Sequence, residues 1–153
     1  MEITRRKAIK GASLAALALS SSGLMKTALA NATAFDSTDY SEALELFLGD
    51  NELSAGDIKI KAPEVAANGA TVPIEITSSI ENTQSISIFV ENNPRPYIAT
   101  FHINPRIEAS VSLRMKMRET SNIVAIVKTD AGHFVAKQSV WLQLAVAFNR
   151  KRT

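Results

Sequence analysis

The side chains that could take part in chemistry are few and lie far apart in the sequence. His102 and His133 are the two histidines, and their separation matches no common metal-ligand spacing. His102 lies on the polar face of a predicted strand, and His133 follows Gly132 in a predicted hairpin turn. We interpret both as solvated strand and turn residues, and we expect no metal site.

The acidic residues also form no recognisable catalytic arrangement. Paired carboxylates need a shared cleft that separates their pKa values, and the sequence indicates none. The residues concerned are Glu75, Glu81, Glu91, Glu108 and Asp130. No glycine-rich phosphate loop or G-x-S-x-G motif occurs. The 153 residues contain no cysteine, which excludes disulfides, a cysteine nucleophile and thiolate metal sites. We therefore expect no catalytic residue, no cofactor and no enzymatic activity.

Two segments have residue types that suit binding. Residues 92–96 (NNPRP) are stiff, because each proline restricts its own φ and the residue before it. They form either a corner between strands or a rigid loop that presents Arg95 and Tyr97. A basic stripe at strand spacing is either a solvated face or a contact for an acidic partner. It consists of Arg114, Lys116 and Arg118.

The formal net charge of +2 hides an uneven distribution. Residues 1–30 carry five basic residues against one acidic residue, and residues 150–152 add three more basic residues. The body between them, residues 31–149, has nine basic and 14 acidic residues. A body of net negative charge binds nucleic acid poorly, because phosphate contacts need a basic face. We expect no nucleic-acid partner.

Residues 1–30 have the order of an export signal. A basic stretch, residues 5–10, precedes a short apolar run, residues 12–19, and small residues follow. The A-x-A patterns ending at Ala30 and Ala32 are candidate cleavage sites. The apolar run is too short to span a membrane. We predict export to the periplasm with cleavage near Ala30 or Ala32.

The pair Arg5 and Arg6 resembles a twin-arginine signal. Ala8 stands where a large apolar residue is usual in such signals. The alternatives are an ordinary Sec signal and a surface amphipathic helix.

A short amphipathic helix is predicted within residues 33–56. Asp39 or Ser37 can cap its first turn, and Gly49 can end it. Its apolar face must dock on another surface. That face contains Ala43, Leu44, Phe47 and Leu48.

From Asp57 the apolar period changes to two, which is typical of half-buried strands. Glycine, proline and asparagine turns separate the apolar runs. Seven short strands without intervening helices predict an all-β fold, an immunoglobulin-like antiparallel β-sandwich. The predicted strands lie within residues 58–60, 72–76, 86–90, 97–103, 109–117, 123–127 and 140–146.

We divide the chain into four parts. Residues 1–30 are the export signal, and residues 31–56 are an N-terminal extension with the short helix. Residues 57–147 are the sandwich, and residues 148–153 are a basic tail.

Several stretches together resemble the SoxY family, the sulfur-carrier subunits of the bacterial periplasmic thiosulfate-oxidising system. They include IFVENNPRP in residues 88–96, ATFHINP in residues 99–105 and LRMKM in residues 113–117. NIVAI in residues 122–126 and DAGHF in residues 130–134 extend the similarity, which continues to about Ala147. The resemblance implies an immunoglobulin-like sandwich, a periplasmic location and a heterodimer with the β-sandwich protein SoxZ.

The family's flexible C-terminal arm ends in Gly-Gly-Cys-Gly-Gly, whose cysteine bears the sulfur intermediates. Residues 145–153 read AVAFNRKRT here, and no position matches that cysteine. A persulfide or S-thiosulfonate linkage needs a thiolate. We therefore expect a degenerate or truncated SoxY-like protein that pairs with a SoxZ-like subunit, and with other sulfur-oxidation enzymes, without carrying sulfur covalently. The alternative is an exported structural or interaction module unrelated to sulfur metabolism.

The expected partner contact lies beside the proline loop. Ile86, Ile88 and Tyr97 flank this loop, and we predict that they contact the SoxZ-like partner. Unpaired sheet edges tend to be covered. The apolar face of the short helix also needs a surface, and the resemblance implies that the partner supplies much of that burial.

Overall fold

The computed structural model of the chain describes residues 34–104 and 106–143. A helix, α1 (Tyr40–Leu48), precedes nine strands. The strands are β1 (Leu53–Ala55), β2 (Ile58–Lys61), β3 (Val65–Ala66), β4 (Val72–Ser78), β5 (Ser85–Val90), β6 (Tyr97–His102), β7 (Ser110–Met115), β8 (Ser121–Thr129) and β9 (Gly132–Leu142). The expected export signal with Arg5 and Arg6, its cleavage near Ala30 or Ala32, and the basic tail lie outside the described residues.

The strands form two sheets, which confirms the predicted immunoglobulin-like sandwich. The larger sheet has the order β1-β9-β8-β5-β6, with β3 also paired to β9, and the smaller sheet has the order β2-β4-β7. All pairs are antiparallel except those of β1 and β3 with β9. Because β1 is part of the larger sheet, the sandwich begins at Leu53, ahead of the expected boundary at Asp57. β9 begins at Gly132, well before the predicted start at Val140.

The main core lies between the two sheets. In β4, Val72, Ile74 and Ile76 are buried and alternate with more exposed residues, as the period of two predicts. Ile86 and Ile88 from β5 are fully buried in the same core. Burial of each such side chain contributes about 1.5–3 kcal/mol. This core therefore holds the two sheets together.

A second core lies on the outer face of the larger sheet, under α1. β5 is buried at every position, because the main core covers one of its faces and α1 covers the other. The second core includes Ala34, Ala43, Phe89, Tyr97, Val124 and Ile126. The surface that the helix needs thus belongs to the same chain. Leu44 and Phe47 are only partly buried there, and the expected contribution of a partner to their burial stays a prediction.

The helix ends agree with the sequence prediction. The side chain of Asp39 accepts a hydrogen bond from the Glu42 backbone N–H at 2.9 Å, which caps the first turn. Gly49 ends the helix with a φ of 58° and donates its N–H to the Glu45 carbonyl oxygen. No helix in the described ranges combines the length and apolar content that a membrane crossing requires.

Candidate functional site

The three predicted partner-contact residues are not at the surface. Ile86 and Ile88 point into the core between the sheets and are fully buried. Tyr97 is 3% exposed, because α1 covers it on the outer face of the larger sheet. Their side chains cannot reach a partner of the folded chain. The apolar pattern correctly indicated that these side chains are buried, but other parts of the same chain bury them.

Tyr97 belongs instead to an aromatic cluster beneath the N-terminal segment. Its ring stacks on Phe89 at 4.7 Å between ring centroids and on Phe35 at 3.9 Å. Phe47 of α1 contacts Phe89 edge-on at 5.3 Å and Tyr97 at 5.4 Å. The Tyr97 hydroxyl hydrogen-bonds the Thr100 hydroxyl, which satisfies its polar atom. The cluster fixes α1 on the sheet.

A polar cluster lies on the same outer face. Lys137 donates to Glu91 at 2.8 Å, and the Asn122 side chain donates to Glu91 at 2.7 Å. Burial alone raises the pKa of Glu91, but these two hydrogen bonds and the Lys137 charge outweigh it and lower the pKa. The hydrogen bond to Glu91 in turn raises the pKa of Lys137. Lys137 also lies 5.6 Å from the ring centre of Tyr40. The cluster ties α1 to β9 and holds both charges in place.

The histidines and the remaining carboxylates converge on no reaction centre among the described residues. His102 is exposed, as expected for the polar face of a strand. His133 is partly buried beside Phe47, its Nδ1 atom has no hydrogen-bond partner in the described structure, and burial lowers its pKa. Glu75 pairs with Lys61 at 3.0 Å on the exposed face of the smaller sheet. The described residues contain no group of three or more potential metal ligands.

The NNPRP segment connects β5 to β6, which agrees with a corner between strands. The interpretation as a loop that presents two side chains holds for Arg95 and is wrong for Tyr97. The Asn93 side chain donates to the Lys116 carbonyl oxygen at 2.9 Å and accepts from the Arg118 backbone N–H at 3.0 Å. Asn92 similarly donates to the Thr120 carbonyl oxygen at 2.9 Å. These hydrogen bonds pin the loop to the segment that follows β7. The loop presents Arg95, but not Tyr97, to solvent.

Beside this loop lies a groove of about 630 Å³ between β6 and β7. We call it the basic groove. Its apolar walls come from Pro94, Ile98, Leu113 and Met115, and its remaining lining residues are Asn93, Arg95, Arg114, Lys116 and Arg118. β6 is an edge strand of the larger sheet and β7 is an edge strand of the smaller sheet. The basic stripe seen in the sequence is therefore one rim of a groove at an open edge of the sandwich.

The basic groove has unbalanced positive charge. Its lining residues include four cations and no carboxylate. The ion pairs found in the described part of the chain join Lys61 to Glu75 and Lys137 to Glu91, and neither involves a groove residue. Such a surface attracts anionic groups. It is the candidate site with the clearest chemical character.

An exposed apolar pair lies at the opposite edge of the larger sheet. Val65 of β3 is 60% exposed, and its register partner Trp141 of β9 is 62% exposed. Large apolar side chains at this level of exposure are typical of protein contacts when they lie together. Sequence reasoning missed the pair. The period of two shows that Trp141 and the buried Val140 lie on different faces of the strand. It does not show that α1 leaves the Trp141 end of the outer face uncovered.

Sequence reasoning also missed the part of Arg95 and Ile98 in the basic groove. The stripe of Arg114, Lys116 and Arg118 was visible from its spacing. The stripe and the proline loop form one groove only because β6 and β7 lie close together in space. These two strands share no hydrogen bonds in the described sheets. No local pattern reveals such an approach.

The fold defines the class of protein, an immunoglobulin-like sandwich with an added N-terminal helix. The family described as "Sulfur oxidation protein SoxY" matches residues 44–145. The solved structure of the sulfur carrier protein SoxY from Chlorobium limicola f thiosulfatophilum is 36% identical, with a TM-score of 0.62. The alignment covers 68% of this chain and 96% of that chain. The chain belongs to the SoxY family of sulfur oxidation proteins.

Two further similarities are weaker. An engineered protein is 13% identical with a TM-score of 0.40, over 57% of this chain and 20% of that chain. A chain in the complex of zinc 2-glycoprotein with prolactin inducible protein from human seminal plasma is 10% identical with a TM-score of 0.39, over 56% of this chain and 93% of that chain. Neither bears on function. No curated protein matches the sequence.

Proposed function

We propose that the protein is a periplasmic SoxY-like subunit of thiosulfate oxidation that pairs with a SoxZ-like immunoglobulin-fold protein. We further propose that this chain is not itself a covalent sulfur carrier. The observation that carries the proposal is a SoxY-family sandwich whose 153 residues contain no cysteine. Sulfur carriage through a persulfide or S-thiosulfonate requires a thiolate, and no hydroxyl or amine replaces it.

The exposed pair of Val65 and Trp141 supports the pairing. Both side chains lie at an edge of the larger sheet, where a second sandwich can approach without disturbing α1. Tryptophan is among the residues that contribute most to protein interfaces when it becomes buried. A standard interface would bury about 1,200–2,000 Å² in total.

The pairing is tested by co-expression of the chain with the SoxZ-like protein, followed by size-exclusion chromatography. We expect a 1:1 complex, and we expect Trp141→Ser to lower its affinity at least tenfold. Ile107→Ser is the matched control, because Ile107 is 63% exposed but lies in the loop before β7, and it should leave the affinity unchanged. A monomer that stays unbound beside the SoxZ-like protein contradicts the pairing and favours an exported module unrelated to sulfur metabolism.

Sulfur carriage is tested by mass spectrometry after incubation with thiosulfate and the family's partner enzymes. We expect no gain in mass. A variant that carries Gly-Gly-Cys-Gly-Gly after Ala147 should gain a reductant-sensitive adduct if the body still docks on those enzymes. A reductant-sensitive adduct on the unmodified chain refutes the proposal.

Export is tested by the N-terminal sequence of the periplasmic protein. Cleavage after Ala30 or Ala32 should leave a chain that starts at Asn31 or Thr33. Replacement of Arg5 and Arg6 by lysine should block export through the twin-arginine route. Unaffected export of that variant would indicate the Sec route, and an intact Met1 in the cytoplasm would contradict export.

A further inference from the structure

The basic groove concentrates the positive charge of the protein body. Residues 31–149 contain nine basic residues against 14 acidic ones, yet four of those nine line this groove. The four are Arg95, Arg114, Lys116 and Arg118. An overall negative body thus presents a local positive surface, which directs an acidic ligand to one place.

The groove is also apolar, which distinguishes it from a simple anion site. Ile98, Leu113 and Met115 form part of its wall, beneath the charged rim. An inorganic anion would satisfy the cations but would leave this apolar surface exposed to water. A ligand that fills the groove must carry both negative and apolar groups.

The edge of β7 can accept another strand. The backbone N–H of Ser78 donates to the Ala109 carbonyl oxygen at 2.9 Å, which makes these two residues a hydrogen-bonded pair in the β4–β7 ladder. Such pairs alternate along an antiparallel ladder. The backbone groups of Leu113 therefore face β4, whereas those of Ser112 and Arg114 face the open edge. A chain that enters the groove in extended form can pair with them.

The side chains of β7 specify which strand fits. Arg114 points to the solvent face of the smaller sheet, and Met115 points into the sandwich. A strand added to β7 would place its side chains alternately beside these two environments. Acidic side chains opposite Arg114 and apolar side chains opposite Met115 would give favourable cross-strand pairs.

The groove is held in shape before a ligand binds. Asn93 joins the proline loop to the backbone at Lys116 and Arg118 through the two hydrogen bonds described above. Preorganisation of this kind lowers the entropic cost of binding.

We propose that the basic groove binds an extended segment of a partner protein, with alternating acidic and apolar residues, that adds as a strand to the open edge of β7. The groove lies at the opposite edge of the larger sheet from Val65 and Trp141. The inference therefore goes beyond the proposed pairing with a SoxZ-like protein and does not depend on it.

The test uses the full mature chain and a fluorescein-labelled eight-residue peptide of alternating Glu and Val, measured by fluorescence anisotropy. The double variant Arg114→Glu, Lys116→Glu should raise Kd at least tenfold. The matched control is Lys59→Glu, Lys128→Glu, which changes the net charge equally on exposed strand positions outside the groove. The control should change Kd less than threefold. An equal rise in Kd for both variants would show that the peptide responds only to the net charge of the protein, and it would overturn the proposal.

Two further measurements keep the test decisive. A peptide of the same composition with its four Glu residues in one block should bind at least fivefold more weakly, because it cannot alternate along β7. Equal binding of the block peptide indicates an unspecific cationic patch and overturns the proposal. In hydrogen exchange of the complex, the amides of Ser112 and Arg114 should gain protection, and unchanged exchange there would also overturn it. If the double variant fails to fold, Arg95→Glu, in the exposed loop, replaces it.

Discussion

The docking of α1 on the larger sheet can be tested by one truncation, Phe47→Ala. The Phe47 ring contacts both Phe89 and Tyr97 edge-on, at 5.3 and 5.4 Å between centroids, and lies 6.5 Å from His133. The variant removes these contacts and leaves the backbone of α1 unchanged. Alanine is also the best helix former, so the helix itself is not weakened.

The expected loss follows from burial and ring contacts. Truncation of a fully buried phenylalanine costs about 3–5 kcal/mol. Phe47 is only partly buried, which reduces the transfer and cavity contributions. Each aromatic pair adds about 0.5–1.5 kcal/mol beyond area burial. We expect the free energy of unfolding to fall by about 2–3 kcal/mol.

Urea unfolding of the protein, followed by far-ultraviolet circular dichroism, measures this loss. Glu45→Ala is the control, because Glu45 lies on the exposed side of the same helix and should change stability by less than about 0.5 kcal/mol. A double-mutant cycle with Phe89→Leu should give a coupling of about 0.5–1.5 kcal/mol. A loss for Phe47→Ala as small as that of the control would show that α1 is undocked in solution and that its apolar face awaits a partner.

Three further predictions concern other parts of the sandwich. Burial and the charge of Lys128 lower the pKa of His133 in the folded chain. Between that lowered pKa and about pH 6.5, the unfolded chain binds more protons at this residue than the folded chain does, so stability should fall as pH falls through this range. His133→Gln should flatten this part of the stability–pH curve, and an unchanged slope would refute the assignment. Gly69→Ala should lower stability by about 1–3 kcal/mol in thermal unfolding, because the added Cβ presses on the Met117 carbonyl oxygen, and a neutral effect would contradict this packing. Asn93→Ala removes two hydrogen bonds that hold the proline loop. It should lower the free energy of unfolding by about 1–2 kcal/mol and raise hydrogen exchange at the Arg118 amide. Unchanged exchange would show that the prolines alone hold the loop.

The sequence was most informative where one physical signal determines local structure. The period of two in residues 72–76 predicted β4 and the side that it buries, and the polar residues around Asp39 and Gly49 predicted both ends of α1. These features depend on neighbouring residues alone. Local sequence chemistry therefore sufficed for them.

The assignment of buried residues to their covering surface could not be read in the same way. Ile88 and Tyr97 are apolar, and apolarity shows that a side chain leaves water but not what replaces the water. In the structure, the opposite sheet covers Ile88, whereas α1 covers Tyr97. The same limit applies to the basic groove. The sequence showed the stripe that contains Arg114, but it did not show that Arg95 lines the same groove, because only the tertiary structure brings the two residues together.

The parallel pairing of β1 with β9 means that an early part of the chain can fold only when a late part has been synthesised. Leu53 lies beside His133, about 80 residues later in the chain. The surface on which α1 packs includes Val124 and Ile126 of β8, and Val135 of β9 borders it. A ribosome releases α1 and β1 long before these partners exist, and an isolated nine-residue helix is barely stable in water.

Neither the docking of α1 nor the pairing of β1 can therefore be completed until β9 has emerged. Contacts between distant residues also form slowly, because a long loop must close before they can stabilise the chain. Although α1 and β1 are made before most of the sandwich, they reach their final positions only after β9 has been made.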